Sequence, residues 1–344
     1  MLDDLKFIHE RDSEDTLGIA QKQWKQLLEN YSFEKLDYKI ENIVFAGMGG
    51  SSLSALVSTS WPGYDIPFEI VRNYTLPRYV SENTLFIACS YSGNTEETLS
   101  ALAEAETKKA RIAIICSGGK LLEIAKAKNY PLIVTPLVGQ PRYAALYILK
   151  ALLTIVSQAG IIDGETINNE LTKAADFLKE AVSSWAPDRP TVNNQAKQIA
   201  QELIGKSIVV YSGPVLYPAA YKWKISFNEN AKHIAWLDQF PEFKHNEILG
   251  WTKQPVDKPY SVIDLRSNLE HPRVQKSFLV TEKLLSGLRP SPIVIEAKGD
   301  SVLHQLLWTI ALGDHVSLYL ALLNNLDPAP VDLIERLKAE MDSQ

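Results

Sequence analysis

The run CSYSGNTEETL sets Ser90, Ser92, Thr95 and Thr98 around Gly93 and Asn94, between an apolar run and the start of an expected helix near Asn94. Hydroxyls and exposed amides at a helix N-terminus suit a phosphate monoester, which takes several hydrogen bonds and is favoured by the positive end of the helix dipole. Capping alone does not account for so many hydroxyls. One N-cap uses one Ser or Thr, and a capping box adds one acidic residue three positions on. Glu96 and Glu97 favour the dipole but would repel a dianion, so they are expected to point away. A second run, FAGMGGSS, places Gly47, Gly49, Gly50, Ser51 and Ser52 directly after an apolar stretch, where closely spaced glycines let backbone approach a ligand. Ser52 stands where the dinucleotide fingerprint has its third glycine, and no G-x-x-x-x-G-K-[ST] run offers a triphosphate cradle. Taken alone, this run reads equally well as a tight strand-to-helix turn.

The elements that must hold these loops alternate in type. NIVFAG, PFEIV, TLFIACS, RIAIICSG and PLIVTP are apolar runs of strand length, each followed by a loop or an amphipathic stretch. That alternation predicts a doubly wound parallel sheet with helices on both faces. Residues 1–37 read as a helical lead-in, 38–185 as a first α/β domain leaving through a long helical stretch over 141–183, broken at Gly160 and Gly164. The Pro- and Asn-rich WAPDRPTVNN, 185–194, reads as the linker. SIVVYSGP, YSVIDLR and SPIVIEAKG then begin the pattern again, giving a second α/β domain over 195–344 that ends in a helix.

With 344 residues, two domains are the ordinary expectation. The net charge of −6 comes with dispersed Lys and Arg, which excludes the basic patch of a nucleic-acid or membrane-surface binder, so local groups must hold an anionic ligand. The acidic N-terminal run MLDDLKFIHERDSEDT lacks the positive region of a signal peptide, and no run is expected to approach the length of a membrane span, which leads to the expectation of a cytoplasmic protein. Cys89 and Cys116 lie inside apolar runs and are expected to pack rather than react.

GMGGSS, SYSGNTEET, ICSGGKL and GQPRYA, taken together, resemble the sugar isomerase (SIS) domain family, and in particular its bifunctional phosphoglucose/phosphomannose isomerases. FNENAKHIAWLDQFPEFKHNEILGW is similar to that subfamily's second half. No motif is recognised in 160–205 or 252–300. The resemblance implies two SIS-type, flavodoxin-like domains and a homodimer whose sites are shared between subunits. It also implies a hexose phosphate substrate isomerised without metal or cofactor. It assigns Ser90, Ser92 and Thr95 to the phosphate, Gly49, Gly50 and Ser51 to the turn beside the sugar, and Arg142 to the reacting carbons. Glu229 corresponds to the catalytic base, which needs a partly desolvated carboxylate to move a proton between C2 and C1. His245 matches the histidine that opens the sugar ring, and Lys338 the lysine that joins it, in the last turn of a terminal helix. Ala329 stands where members commonly carry Thr, a departure that bears on mannose phosphate more than glucose phosphate. His9, His233, His271, His304 and His315 read as loop or helix-end residues, and none of the spacings makes an H-x-H or H-E-x-x-H metal site. A sensor of the same fold would usually carry an added helix-turn-helix domain, for which the residues before the first strand are too few and too acidic. An isomerase of an amino sugar or pentose phosphate would share the fold and the phosphate loop.

Overall fold

The computed structural model describes residues 1–253 and 259–342, and chain contacts divide it into two bodies. Residues 254–258, within the stretch without a recognised motif, and 343–344, at the end of the expected second domain, lie outside the described residues.

The first body comprises Lys22–Glu180 and Gly299–Leu307. After α1 (Leu5–Arg11) and α2 (Thr16–Lys22), strands and helices alternate as β1 (Asn42–Ala46), α3 (Gly49–Ser60), β2 (Phe68–Val71), β3 (Thr84–Ser90), α4 (Glu96–Thr107), β4 (Arg111–Cys116), α5 (Gly119–Lys128) and β5 (Leu132–Val134). The five strands pair in parallel in the order β2-β1-β3-β4-β5, with Val44 opposite Phe86 and Ile87 opposite Ala113. Every residue of β3 is buried, as in a parallel strand covered on both faces. Val44, Phe86 and Ile114 pack on one face with Ala101 and Leu102 of α4 and Leu121 of α5. The strand order reverses between β1 and β3, and sheets of this kind bind ligands outside the carboxyl ends of the strands at that point. Both cysteines are buried in strands, and burial pushes the Cys116 thiol up to about 11. The stretch 141–183 is two helices, α6 (Ala145–Gln158) and α7 (Gly164–Ser183), separated where Gly160 turns to a φ of 69°.

The second body comprises Met1–Gln21, Ala181–Lys298 and Trp308–Gln344. It continues with α8 (Gln195–Glu202), β6 (Ser207–Ser212), α9 (Tyr217–Glu229), β7 (Ala235–Gln239), α10 (Glu247–Gly250), β8 (Tyr260–Arg266), α11 (Pro272–Leu284), β9 (Ile293–Glu296), α12 (Val302–Leu323) and α13 (Asp332–Asp342). Its sheet is again parallel, in the order β7-β6-β8-β9, around an aromatic core of Tyr211, Phe240, Phe243 and Phe278. Sequence reading did not single out β7, a half-exposed edge strand.

Three expectations are corrected here. The lead-in is divided, because residues 1–21 group with the second body. The stretch 185–194 is fastened rather than a free linker: the buried Lys197 ammonium gathers the carbonyls of Leu2, Pro187 and Arg189 and the Asp3 carboxylate. The third concerns α12, which by length and mean hydropathy of 1.6 could cross a membrane and was passed over in the sequence. Burial of 94% of that stretch makes it a core helix. On it, His315 is fully buried in mid-helix and bonds the Ala311 carbonyl, unlike the loop or helix-end residue expected.

A buried ionic cluster ties α9 to α12. Lys222 Nζ lies 2.6 Å from Asp314 Oδ1 and 2.9 Å from Ser226 Oγ, which itself donates to Asp314 at 2.7 Å. Such a pair gives little net stability but is costly to break, since the remaining charge is left buried. Asp314→Ala is therefore expected to lower unfolding free energy by about 3–5 kcal/mol in urea titration. A loss below about 1 kcal/mol would show that the cluster carries no such strain when halved.

Candidate active site

The carboxyl ends of the first sheet bring four motifs together. Gly47 follows β1, and a Cβ placed on it would lie 2.9 Å from the Cys89 carbonyl of β3. Gly93, at a φ of 73°, crosses the next loop so closely that a Cβ would fall 1.8 Å from the Gly118 carbonyl. The two loops are further laced by Ser117 N to Tyr91 O at 3.1 Å and Leu121 N to Gly93 O at 2.9 Å. Asn94 Oδ1 accepts from Lys120 N in the first turn of α5. Val138 N donates to the Tyr91 hydroxyl oxygen at 2.6 Å, which brings the GQPRYA segment alongside. A Cβ on Gly50 would meet Pro141 O at 3.1 Å and Arg142 Cα at 3.2 Å, so the start of α3 abuts Arg142.

Within this cluster the hydroxyls bond one another and the loop, not the helix. Thr95 is the N-cap of α4 yet makes no side-chain capping bond, and its hydroxyl pairs with Ser90 Oγ at 2.7 Å. Ser90 Oγ also accepts from Gly93 N, and Ser92 Oγ from Asn94 N. Since the side chains leave α4's opening amides unsatisfied, those amides and the exposed Ser92 form an anion-accepting rim. Glu96 accepts from the Tyr74 hydroxyl at 3.2 Å. Thr98, also quoted in the motif, is buried one turn inside α4. Ser51 is buried in the first turn of α3, and Gly49 opens that helix at a φ of 49°.

Arg142 lies in a 3-10 turn (Pro141–Tyr143), is only 2% exposed and sits 4.8 Å from the Tyr143 ring centroid. Read from the sequence alone it would be a solvated side chain; the structure buries it beside the glycine turn. Arg72, which sequence reading missed, supplies an exposed cation there, its Nε donating to Ser52 Oγ at 3.1 Å. Its one signal is its place directly after the run PFEIV.

In the second body the corresponding turn, after β6, is filled by the protein itself. The buried Glu270 carboxylate accepts from Val215 N at 2.7 Å ahead of α9, and a Cβ on Gly213 would lie 2.2 Å from its Oε1. Burial holds this carboxyl above its ordinary range. The other expected residues occupy three separate elements. Glu229 is the half-buried last residue of α9. Beyond it Asn230 donates to Ser317 Oγ, and Lys232 donates to the carbonyls of Asp327 and Pro328. His245 is exposed at the end of a 3-10 turn (Glu242–His245) anchored by buried Phe243. Glu247, two residues on and not singled out from the sequence, is bonded by the Tyr211 hydroxyl. Burial raises its carboxyl, with Asp238 adding to the effect. Lys338 is exposed on α13, ahead of its last turn rather than within it, and Ala329 is fully buried.

If the hydroxyl cluster holds phosphate, Ser90→Ala with Thr95→Ala will weaken inorganic phosphate binding while circular dichroism stays unchanged. Each lost charge-assisted bond is worth about 1.5–3 kcal/mol. Unchanged affinity would remove the cluster from the binding site.

The SIS domain model matches residues 38–135, and the model of the bacterial phospho-glucose isomerase C-terminal SIS domain matches residues 192–341. The chain is 34% identical over 304 residues to the bifunctional phosphoglucose/phosphomannose isomerase of Aquifex aeolicus, covering 88% of this chain and 90% of that one. It is 32% identical over 254 residues to the D-glucosamine-6-phosphate 4-epimerase of Sulfolobus acidocaldarius, covering 71% and 77%. Among solved structures, a glucose-6-phosphate isomerase like protein from Thermus thermophilus shares the fold with a TM-score of 0.65 at 18% identity, covering 98% of each chain. Two SIS-type sheets, a hydroxyl loop at the switch point of the first and this extent of identity place the chain in the SIS-domain bifunctional phosphoglucose/phosphomannose isomerase family.

Proposed function

We propose that the protein interconverts glucose 6-phosphate and fructose 6-phosphate, and also mannose 6-phosphate, through a cis-enediol. The observation that carries this reading is the hydroxyl cluster of Ser90, Ser92 and Thr95, bonded internally and not spent on capping α4, with Arg142 buried against Gly50 beside it. Phosphate is held by the hydroxyls and the α4 amides, and the sugar lies along Gly49, Gly50 and Ser51. His245 and Lys338 move the proton at the ring oxygen that opens the ring. Glu229 then takes the proton from C2 of the open-chain aldose. The electrons shift to O1 as an enediolate whose charge Arg142 stabilises, the O2 hydroxyl proton passes to O1, and Glu229 returns its proton to C1 as the C2 carbonyl forms. The identity to a relative named as a glucosamine phosphate epimerase supports a second reading, an amino-sugar phosphate substrate. Assay of fructose 6-phosphate against glucosamine 6-phosphate separates the two.

The working unit in this reading is a homodimer in which His245 enters the partner's site. Support comes from exposure within the chain: His245 faces solvent, and α13 leaves Leu333, Leu337 and Met341 uncovered at 79%, 61% and 54%.

Glu229→Gln keeps the shape and removes the base, so kcat should fall roughly 10²–10⁴-fold with competitive inhibitors still bound. Near-normal turnover would place the base elsewhere. Co-expression of Glu229→Gln and His245→Ala chains tests the shared site. Random pairing makes about half the dimers mixed, each with one intact site of two, so activity should return to about a quarter of wild type. No recovery in verified mixed dimers would put both residues in one chain's site.

A further inference from the structure

Buried cations in proteins are paired or lose their proton. Three lysines are buried among the described residues: Lys150, Lys197 and Lys222. Lys197 reaches Asp3 at 3.1 Å and Lys222 reaches Asp314 at 2.6 Å. Lys150, on α6 and 8% exposed, donates to the side-chain oxygen of Asn168 on α7, and among the described residues it makes no ion pair. Burial lowers its pKa with no acidic neighbour opposing the shift.

Lys150 and its partner Asn168 both line a cavity of about 130 Å³. Its wall is formed by the lower face of α6 with Ser157 and Gln158, the first turns of α7 with Asn168, and the segment with Asn30 and Tyr31. No Asp or Glu lines it; Glu29, whose charge is felt at Tyr31, is outside the wall. The Tyr31 hydroxyl is buried with no hydrogen-bond partner among the described residues. Among the described residues the cavity wall thus carries a lysine without a counter-charge and a phenol without a partner, and an anion would satisfy both. A space of this size has room for a small oxyanion. None of the residues described in the candidate active site lines it.

We infer that this cavity is a second ligand site, which takes a small oxyanion, phosphate or carboxylate, between Lys150 Nζ and the Tyr31 hydroxyl. The inference does not depend on the isomerase reading, because it is tested by binding. The protein carrying Ser90→Ala with Thr95→Ala, which lacks the hydroxyl loop, is titrated calorimetrically with inorganic phosphate and separately with malonate. At least one probe should bind at one site per chain, and the one that binds names the oxyanion class. Adding Lys150→Met should weaken that binding roughly tenfold to hundredfold. Tyr31→Phe, which keeps the shape of the wall and serves if Lys150→Met does not fold, should weaken it about fivefold. Binding of neither probe, or binding that both substitutions leave unchanged, would overturn the site and leave Lys150 as a desolvated lysine in a water-filled cavity.

Discussion

The hydroxyl cluster exists because backbone approaches backbone at the carboxyl ends of β1, β3 and β4 more closely than any side chain permits. At Gly93 the shortfall is absolute: a Cβ 1.8 Å from a carbonyl oxygen would force apart the two loops that carry the openings of α4 and α5. At Gly50 the margin is finer, a few tenths of an ångström against the Arg142 backbone. Hydrogen bonds between the loops then hold Ser90, Ser92 and Thr95 in one place, where their hydroxyls pair with one another and with the loop amides. The segment that carries Arg142 is held against the same loops, through the Gly50 approach and the Val138–Tyr91 bond.

The two bodies repeat a sheet plan but fill the switch point differently. In the first, neutral hydroxyls and amides leave room for a charged ligand. In the second, Glu270 already occupies the amides ahead of α9, a carboxylate in the position where a ligand's oxyanion would sit. That internal anion, together with the Lys222–Asp314 pair, fixes α9 along its length, and Glu229 is its last residue. The same switch point is thus lined by hydroxyls and amides in the first body and closed by the chain's own carboxylate in the second.

Much of this was legible in residues. The strand runs are apolar and bounded by turn residues, so eight of the nine described strands coincide with runs read from sequence, and β7 escaped because its half-exposed AWLDQ lacks that signature. The hydroxyl loop was legible because no capping rule uses so many Ser and Thr. Arg142 was not legible from its chemistry: a lone arginine is ordinarily solvated, and no local pattern marks this one as buried. Lys150, Glu270 and Arg72 carry no local pattern, since what distinguishes them is the presence or lack of partners distant in sequence. Likewise, nothing local in WAPDRPTVNN announces that Lys197 and the first residues of the chain will fasten it.

The proposed chemistry is proton transfer between adjacent carbons of a hexose phosphate held at the hydroxyl loop. Its most direct test is to incubate the protein with fructose 6-phosphate in deuterium oxide and follow the products by nuclear magnetic resonance. Aldose 6-phosphate carrying deuterium at C2 is expected, because a carboxylate that shuttles a proton through an enediol exchanges it with solvent. Aldose product free of deuterium at C2, or fructose 6-phosphate recovered unlabelled and unconverted, would contradict it.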